Sequence, residues 1–191
     1  MLRYSIADPF SVSLKLVTIK EPIMAMHRLN HAVLYVRDVE RSVNFYTTLL
    51  GFRTAFRLPG AAFLQAEGST NDHDLGLVEI TANAGGSEAG RRTVGLYHLA
   101  WEVETLTELR HIRTRLIKAG ALVSETDHGT TKALYAQDPD GLDFEVCWLV
   151  PAELLTGVRR QGGVPLDLES EIERFGADAR GGIGVSVPVV H

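Results

Sequence analysis

The apolar residues of this chain change period several times, and each change marks an element. Asn30 to Val36 (NHAVLYV) is a short run rich in β-branched and aromatic residues, the signature of a buried strand. Asp38 then stands where a helix cap is expected. Val43, Phe45, Tyr46, Leu49 and Leu50 follow at helical spacing, and Gly51 closes the helix. Phe52 to Leu58 and Ala61 to Ala66 read as strands around a Pro59-Gly60 turn. A polar loop from Gly68 to Asp74 leads into a further strand, Leu75 to Thr81, and Ala82 to Gly90 forms a glycine-rich linker.

The pattern then restarts. Tyr97 to Val103 (YHLAWEV) reads as a strand, and Leu106, Leu109, Ile112, Leu116 and Ile117 line one side of a helix that ends at Gly120. Three strands follow: Ala121 to Ser124, Lys132 to Gln137 and Leu142 to Trp148. The turn Asp138-Pro139-Asp140-Gly141 separates the last two. Strand, helix, strand, strand, strand therefore occurs twice, and an offset of 67 residues superposes His31 on His98, Val36 on Val103 and Leu75 on Leu142. The expected division is an extension at 1–26, a two-repeat domain at 27–150 (repeats 27–90 and 91–150) and a tail at 151–191. In the tail, Glu153 to Arg160 and Leu166 to Phe175 are short helical candidates, and the whole is expected to be a packed or swapped arm.

Length and composition fit this reading. The 191 residues are 45% hydrophobic and 23% charged, which argues against disorder and low-complexity classes. Basic residues number 19 and acidic residues 24, for a net charge of −5, so no electrostatic footprint for nucleic acid is present. The single cysteine, Cys147, excludes an intrachain disulfide and a cysteine-based zinc cage, and it suits a cytoplasmic setting. No run of about 20 apolar residues is available to cross a membrane.

Seven histidines offer chemistry. His111 lies in a helix among charged neighbours, His27 precedes the first strand and His191 is terminal; none of these suggests a site. His31 and His98 differ because they open equivalent strands of two repeats. Either one alone reads as a strand-edge residue with a local hydrogen bond; as a symmetric pair they read as metal ligands. Glu145 lies within LDFEVCW, between Phe144 and Val146. A carboxylate in such a strand is either solvent-facing or costly unless paired or metal-bound. Alternation places it on the face opposite Phe144 and Val146. Two histidines and a carboxylate form the donor set of the facial triad of non-haem Fe(II) oxygenases.

The segments LNHAVLYVRDVERSVNFYTTLLGF, YHLAWEV and YAQDPDGLDFEV resemble the vicinal oxygen chelate superfamily, which includes glyoxalase I, bleomycin-resistance proteins and type I extradiol dioxygenases. The fold this implies is α+β: two βαβββ repeats forming a cup-shaped mixed sheet, followed here by a helical tail. The resemblance assigns His31, His98 and Glu145 to the metal, with Fe(II) or Mn(II) as cofactor. Three further residues resemble the extradiol branch. His73, at the head of HDLGLVEI, matches its acid–base catalyst, and His128 and Tyr135 match its active-site histidine and tyrosine. The implied reaction is ring cleavage of a catechol-like diol by O₂ next to the two hydroxyls, in a homodimer without nucleic-acid or membrane partners. Trp101, Phe63 and Phe144 are candidates for lining the cup. Most extradiol enzymes of this type carry two such modules, whereas this chain has length for one and a tail.

Two other readings stay open. A lyase or isomerase of the glyoxalase or epimerase kind takes a fourth protein ligand from the fourth strand of the first repeat. The 67-residue offset puts Val78 there, with Glu79 one residue away, and an inward Glu79 would give two histidines and two glutamates suited to Ni²⁺, Zn²⁺ or Co²⁺. The third reading is a metal-free ligand-binding protein.

Overall fold

The computed structural model describes residues 26, 28–89, 92–155, 157–158, 160 and 162–182. The expected 1–26 extension lies outside these residues save Met26, as do His27 and His191.

Each repeat builds its own mixed sheet with one helix across it. In the first, β1 (Ala32–Val36), α1 (Val39–Leu50), β2 (Arg53–Leu58), β3 (Ala61–Gln65) and β4 (Leu75–Glu79) give the sheet order β1-β4-β3-β2. In the second, β5 (Leu99–Glu102), α2 (Leu106–Ala119), β6 (Leu122–Asp127), β7 (Thr131–Gln137) and β8 (Asp143–Leu149) give β5-β8-β7-β6, extended at the edge by β9 (Val164–Pro165) from the tail. The strand that precedes each helix pairs parallel with the last of its repeat; the other neighbours within each repeat are antiparallel. The α+β class and the doubled βαβββ order are therefore as expected.

Local chemistry fixes both helices. Asp38 Oδ1 accepts the Arg41 amide at 2.9 Å, a cap worth about 1 kcal/mol. Thr105 and Glu108 form a reciprocal capping box at the start of α2. The two helices end at Gly51 and Gly120, with φ of 79° and 66° in the left-handed region where a Cβ is costly. Each sheet also carries one break in strand register at the same place, between Thr54 and Phe56 in β2 and between Leu122 and Ser124 in β6.

The helices cover one face of each sheet. Ala62, Leu64, Leu75 and Leu77 pack with Val39, Val43 and Tyr46 in the first repeat. Leu134, Ala136, Phe144, Val146 and Trp148 pack with Leu106, Leu109, Ile112 and Leu116 in the second. Of the three candidate lining residues, Trp101 and Phe144 join this packing and border the crevice between the repeats, while Phe63 pairs with Gly76 on the first sheet. The repeats meet through side chains. Phe52 stands edge-on to Trp101 at 5.0 Å, and Tyr46 Oη donates to Asp138 Oδ2 at 3.2 Å. Arg37 and Arg41 both reach Asp140 Oδ1, at 2.8 and 2.7 Å. Burial, then the Asp138 carboxylate, holds the Tyr46 phenol well above its usual value.

The tail packs on the second repeat. The expected helix over 153–160 is a 3₁₀ turn, Ala152–Leu154, while α3 (Leu168–Phe175) forms beneath the Asp167 cap. β9 had no signal, since two residues carry no periodicity.

Candidate active site

The six candidate residues fall on the faces left open by the helices, and the structure brings them together in three pairs. His31 and His73 form the first, with ring centroids 4.5 Å apart. Asn30 Oδ1 lies 2.7 Å from His31 Nδ1, and Asp72 Oδ2 lies 2.9 Å from His73 Nδ1. An oxygen at each Nδ1 accepts its proton and leaves Nε2 as the nitrogen with a lone pair. The His73 hydrogen bond in turn holds the Asp72 carboxyl below its usual value.

A loop of polar residues sets this pair. The nearly buried Asp74 carboxylate accepts the Ala66 amide (2.9 Å), Ser69 Oγ (2.7 Å) and Asn71 Nδ2 (2.7 Å). Asn71 Nδ2 also donates to Asn30 O at 2.7 Å, tying the His73 loop to the residue beside His31. Phe56 and Phe63 stack at 4.3 Å and stand edge-on to the His73 ring at 5.8 and 5.1 Å. Asp72, Asn71 and Asn30 escaped the sequence reading; the only signal was their crowding around His73 in a polar loop.

His98 and Glu145 form the second pair, with Nε2 and Oε2 3.0 Å apart. Glu145 is 8% exposed and sits mid-strand on the face opposite Phe144 and Val146. His98 Nδ1 is buried without a hydrogen-bond partner. Cys147, two residues on, is an inert thiol: burial, then the Glu145 and Glu102 charges, pushes it up to about 12.

His128 and Tyr135 form the third pair, with Nε2 3.1 Å from Oη. Tyr135 lies directly across the β7–β8 ladder from Glu145 and 5.6 Å, ring to ring, from His98. Burial, then the Glu145 charge, pushes its phenol up to about 12, so it keeps its proton near neutral pH and serves as a donor. The second and third pairs thus form one cluster on the second sheet.

The donors suit a divalent ion in part. Two ligands at neighbouring corners of an octahedron, with bonds near 2.1 Å, stand about 3 Å apart, which is the His98–Glu145 spacing. His31 stays with His73 on the first sheet, and among the described residues no three His, Cys, Asp or Glu side chains are grouped to hold an ion. The crevice between the repeats, lined by Leu34, Tyr46, Leu99 and Trp101 among others, contains none of the six.

Ala100 pairs with Glu145 two residues after His98, and Val33 pairs with Gly76 two residues after His31. Gly76, rather than the expected Val78, is therefore the counterpart of Glu145. The two repeats differ by two residues in the path between these strands, which shifts the offset and preserves the face. A side chain at Gly76 would meet Val33 Cγ2 at 3.2 Å and Phe63 at 3.4 Å. Glu79 turns elsewhere: its Oε2 accepts the Val39 amide at 2.9 Å.

Comparison with known proteins shows the family of the chain. The family model of the Glyoxalase/Bleomycin resistance protein/Dioxygenase superfamily matches residues 28–146. A catechol-2,3-dioxygenase of Bacillus subtilis (strain 168) is 33% identical over 119 residues, 62% of this chain and 40% of that protein. A biphenyl-2,3-diol 1,2-dioxygenase 3 of Rhodococcus globerulus is 32% identical over 60% of this chain and 59% of its own length. A lactoylglutathione lyase of Neisseria meningitidis is also 32% identical, over 62% of this chain and 88% of its own length. The chain thus spans well under two thirds of the dioxygenases it matches. A crystal structure of a glyoxylase/bleomycin resistance protein/dioxygenase domain from Frankia sp. EAN1pec superposes with a TM-score of 0.55 at 26% identity, covering 64% of this chain and 92% of that one.

Proposed function

This chain belongs to the Glyoxalase/Bleomycin resistance protein/Dioxygenase superfamily, and from that premise we propose that it is an extradiol-type dioxygenase that opens a catechol-like ring with O₂. The observation that carries the reading is Gly76 at the counterpart of Glu145, with Glu79 committed to the Val39 amide. With those two positions set aside, the donors that remain for this reading are His31, His98 and Glu145. Three protein ligands leave positions for a bidentate diol and O₂, whereas a fourth carboxylate would favour the lyase chemistry of the Neisseria relative.

His98 and Glu145 would hold Fe(II) or Mn(II), with His31 of the first sheet as the third donor that the family resemblance implies; the ion, when bound, would supply chelation of the two vicinal oxygens and activation of O₂. The remaining residues handle position and protons. Tyr135, kept as a phenol, donates a hydrogen bond to a substrate oxygen, and His128 at 3.1 Å orients that hydroxyl. His73 Nε2, with Nδ1 held by Asp72, would take a proton from a diol hydroxyl and return it to the ring-opened product. The Phe56–Phe63 stack fixes the plane of His73 and keeps water from one side of it.

The test is anaerobic purification, determination of metal content, and addition of catechols with O₂ alongside a glutathione hemithioacetal. A yellow ring-fission product that depends on Fe(II) or Mn(II), is lost in His98→Ala, and is lost in His73→Ala without loss of metal supports the reading. Hemithioacetal turnover with no oxygen uptake on any catechol overturns it. The protein is expected to act as a homodimer, which sedimentation of the purified chain checks, and in the cytoplasm, which cell fractionation checks.

A further inference from the structure

Among the described residues, the tail meets the site at Gly163. β9 pairs antiparallel with β6, Val164 with Asp127 and Pro165 with Thr126. This lays Gly163 against His128: a Cβ there would fall 3.2 and 3.3 Å from His128 Cε1 and Nδ1 and 2.9 Å from Thr126 Cγ2. Gly163 also has φ of +95°, which side chains rarely adopt. One edge of the His128 ring therefore rests on the tail backbone while Nε2 faces Tyr135 Oη at 3.1 Å.

A second contact grips the same turn from the core side. Lys132 is fully buried, with Nζ 2.6 Å from Asp127 Oδ1 and 2.7 Å from Glu171 Oε2 of α3. Its ammonium also lies over the Phe175 ring at 5.4 Å. Asp127 Oδ1 in turn accepts the Gly129 amide at 2.7 Å, inside the turn that carries His128. A lysine this deep depends on its two carboxylates, so the position of α3 is coupled to the turn.

We propose that the C-terminal arm sets the His128–Tyr135 pair, with Gly163 and Glu171 as positioning residues. Gly163 supplies the surface on which the imidazole rests. Glu171, through Lys132 and Asp127, holds the turn at the height where Nε2 meets the Tyr135 hydroxyl. The effect on turnover rests on the dioxygenase reading; the effect on the ring does not.

The experiment uses the full chain with isotope-labelled histidine and reads the ring signals of His128 by NMR, assigned from the spectrum of His128→Gln. Gly163→Ala and Glu171→Ala are compared with Glu169→Ala, which breaks only the exposed Arg110–Glu169 contact on the same helix. The His128 signals should move in the first two variants and stay in the third, with the His111 signals constant throughout. Glu171→Gln, which keeps an acceptor for Lys132, should bring the His128 signals back toward wild type, and this pair decides the matter if Gly163→Ala does not fold. With a turned-over catechol, kcat should fall roughly ten- to a hundred-fold in Glu171→Ala while KM stays within about twofold. Unchanged His128 signals in folded Glu171→Ala overturn the proposal and leave the arm as a strap. Moving signals in a protein that cleaves no catechol sink the dioxygenase reading and uphold the coupling.

Discussion

Gly76 occupies in the first sheet the place that Glu145 occupies in the second, each paired with the residue two positions beyond its repeat's leading histidine. The pseudo-symmetry of the backbone is thus broken at the one position where it would add a fourth carboxylate. Glu79, the carboxylate that ends β4, serves the start of α1 instead. Glu79→Ala should therefore cost about 1 kcal/mol in urea unfolding through the lost amide contact, and leave metal content at the wild-type level. A loss of metal in that variant would return Glu79 to the ligand set.

Glu145 is the donor whose removal should matter most. Glu145→Ala should weaken metal binding by at least about a hundred-fold, read by equilibrium dialysis against the ion, because no other carboxylate among the described residues is grouped with His98. Tyr135→Phe keeps the ring and its packing and removes only the donor. It should bind the ion normally and lose about 10²-fold in kcat.

The contact between repeats should respond to pH with a defined sign. Burial raises the Asp138 pKa above 3.8, against the pull of its hydrogen bonds from the Leu142 and Asp140 amides and Tyr46. Between the unfolded value and the raised folded value, the folded state binds more protons, so stability contributed at this site falls as pH rises. Asp138→Asn cannot ionise. The thermal stability of Asp138→Asn relative to wild type should therefore improve from pH 3 toward pH 7. A difference that is flat with pH, or that runs the other way, would show that Asp138 does not titrate in this range.

Removing the buried cation should be severe. Lys132→Met leaves Asp127 and Glu171 facing each other without their shared partner, and should cost about 3–5 kcal/mol in denaturant unfolding. Lys132→Met combined with Glu171→Leu should recover part of that loss, since the double variant buries apolar groups in place of an orphaned charge.

How legible this was in the sequence depended on whether a residue acts through its neighbours in the chain. The helix over Leu106–Ala119, its Gly120 stop and the Asp38 and Gly51 caps are local rules, and they appeared where expected. The face of Glu145 followed from period-2 alternation alone. The counterpart of Glu145 did not, because a constant offset assumes equal loops, and the repeats differ by two residues between these strands. Long-range polar partners were also invisible. Nothing near Glu79 announces Val39, and nothing in the tail announces that Gly163 meets His128. Strand ends shifted where the leading histidines precede the pairing: His31 and His98 stand just outside β1 and β5.

The two register breaks, Thr54–Phe56 and Leu122–Ser124, fall at matching places in the two halves. An extra residue in a strand is costly to insert and easily lost, yet both halves keep one immediately after the first turn of chain that follows the glycine stop. Side chains at the two places share nothing: threonine and phenylalanine against leucine and serine. What the two halves share at this point is the kink, while the residue identities differ. Kinship between the halves of this molecule is therefore better measured by where its backbone bends than by which letters it repeats.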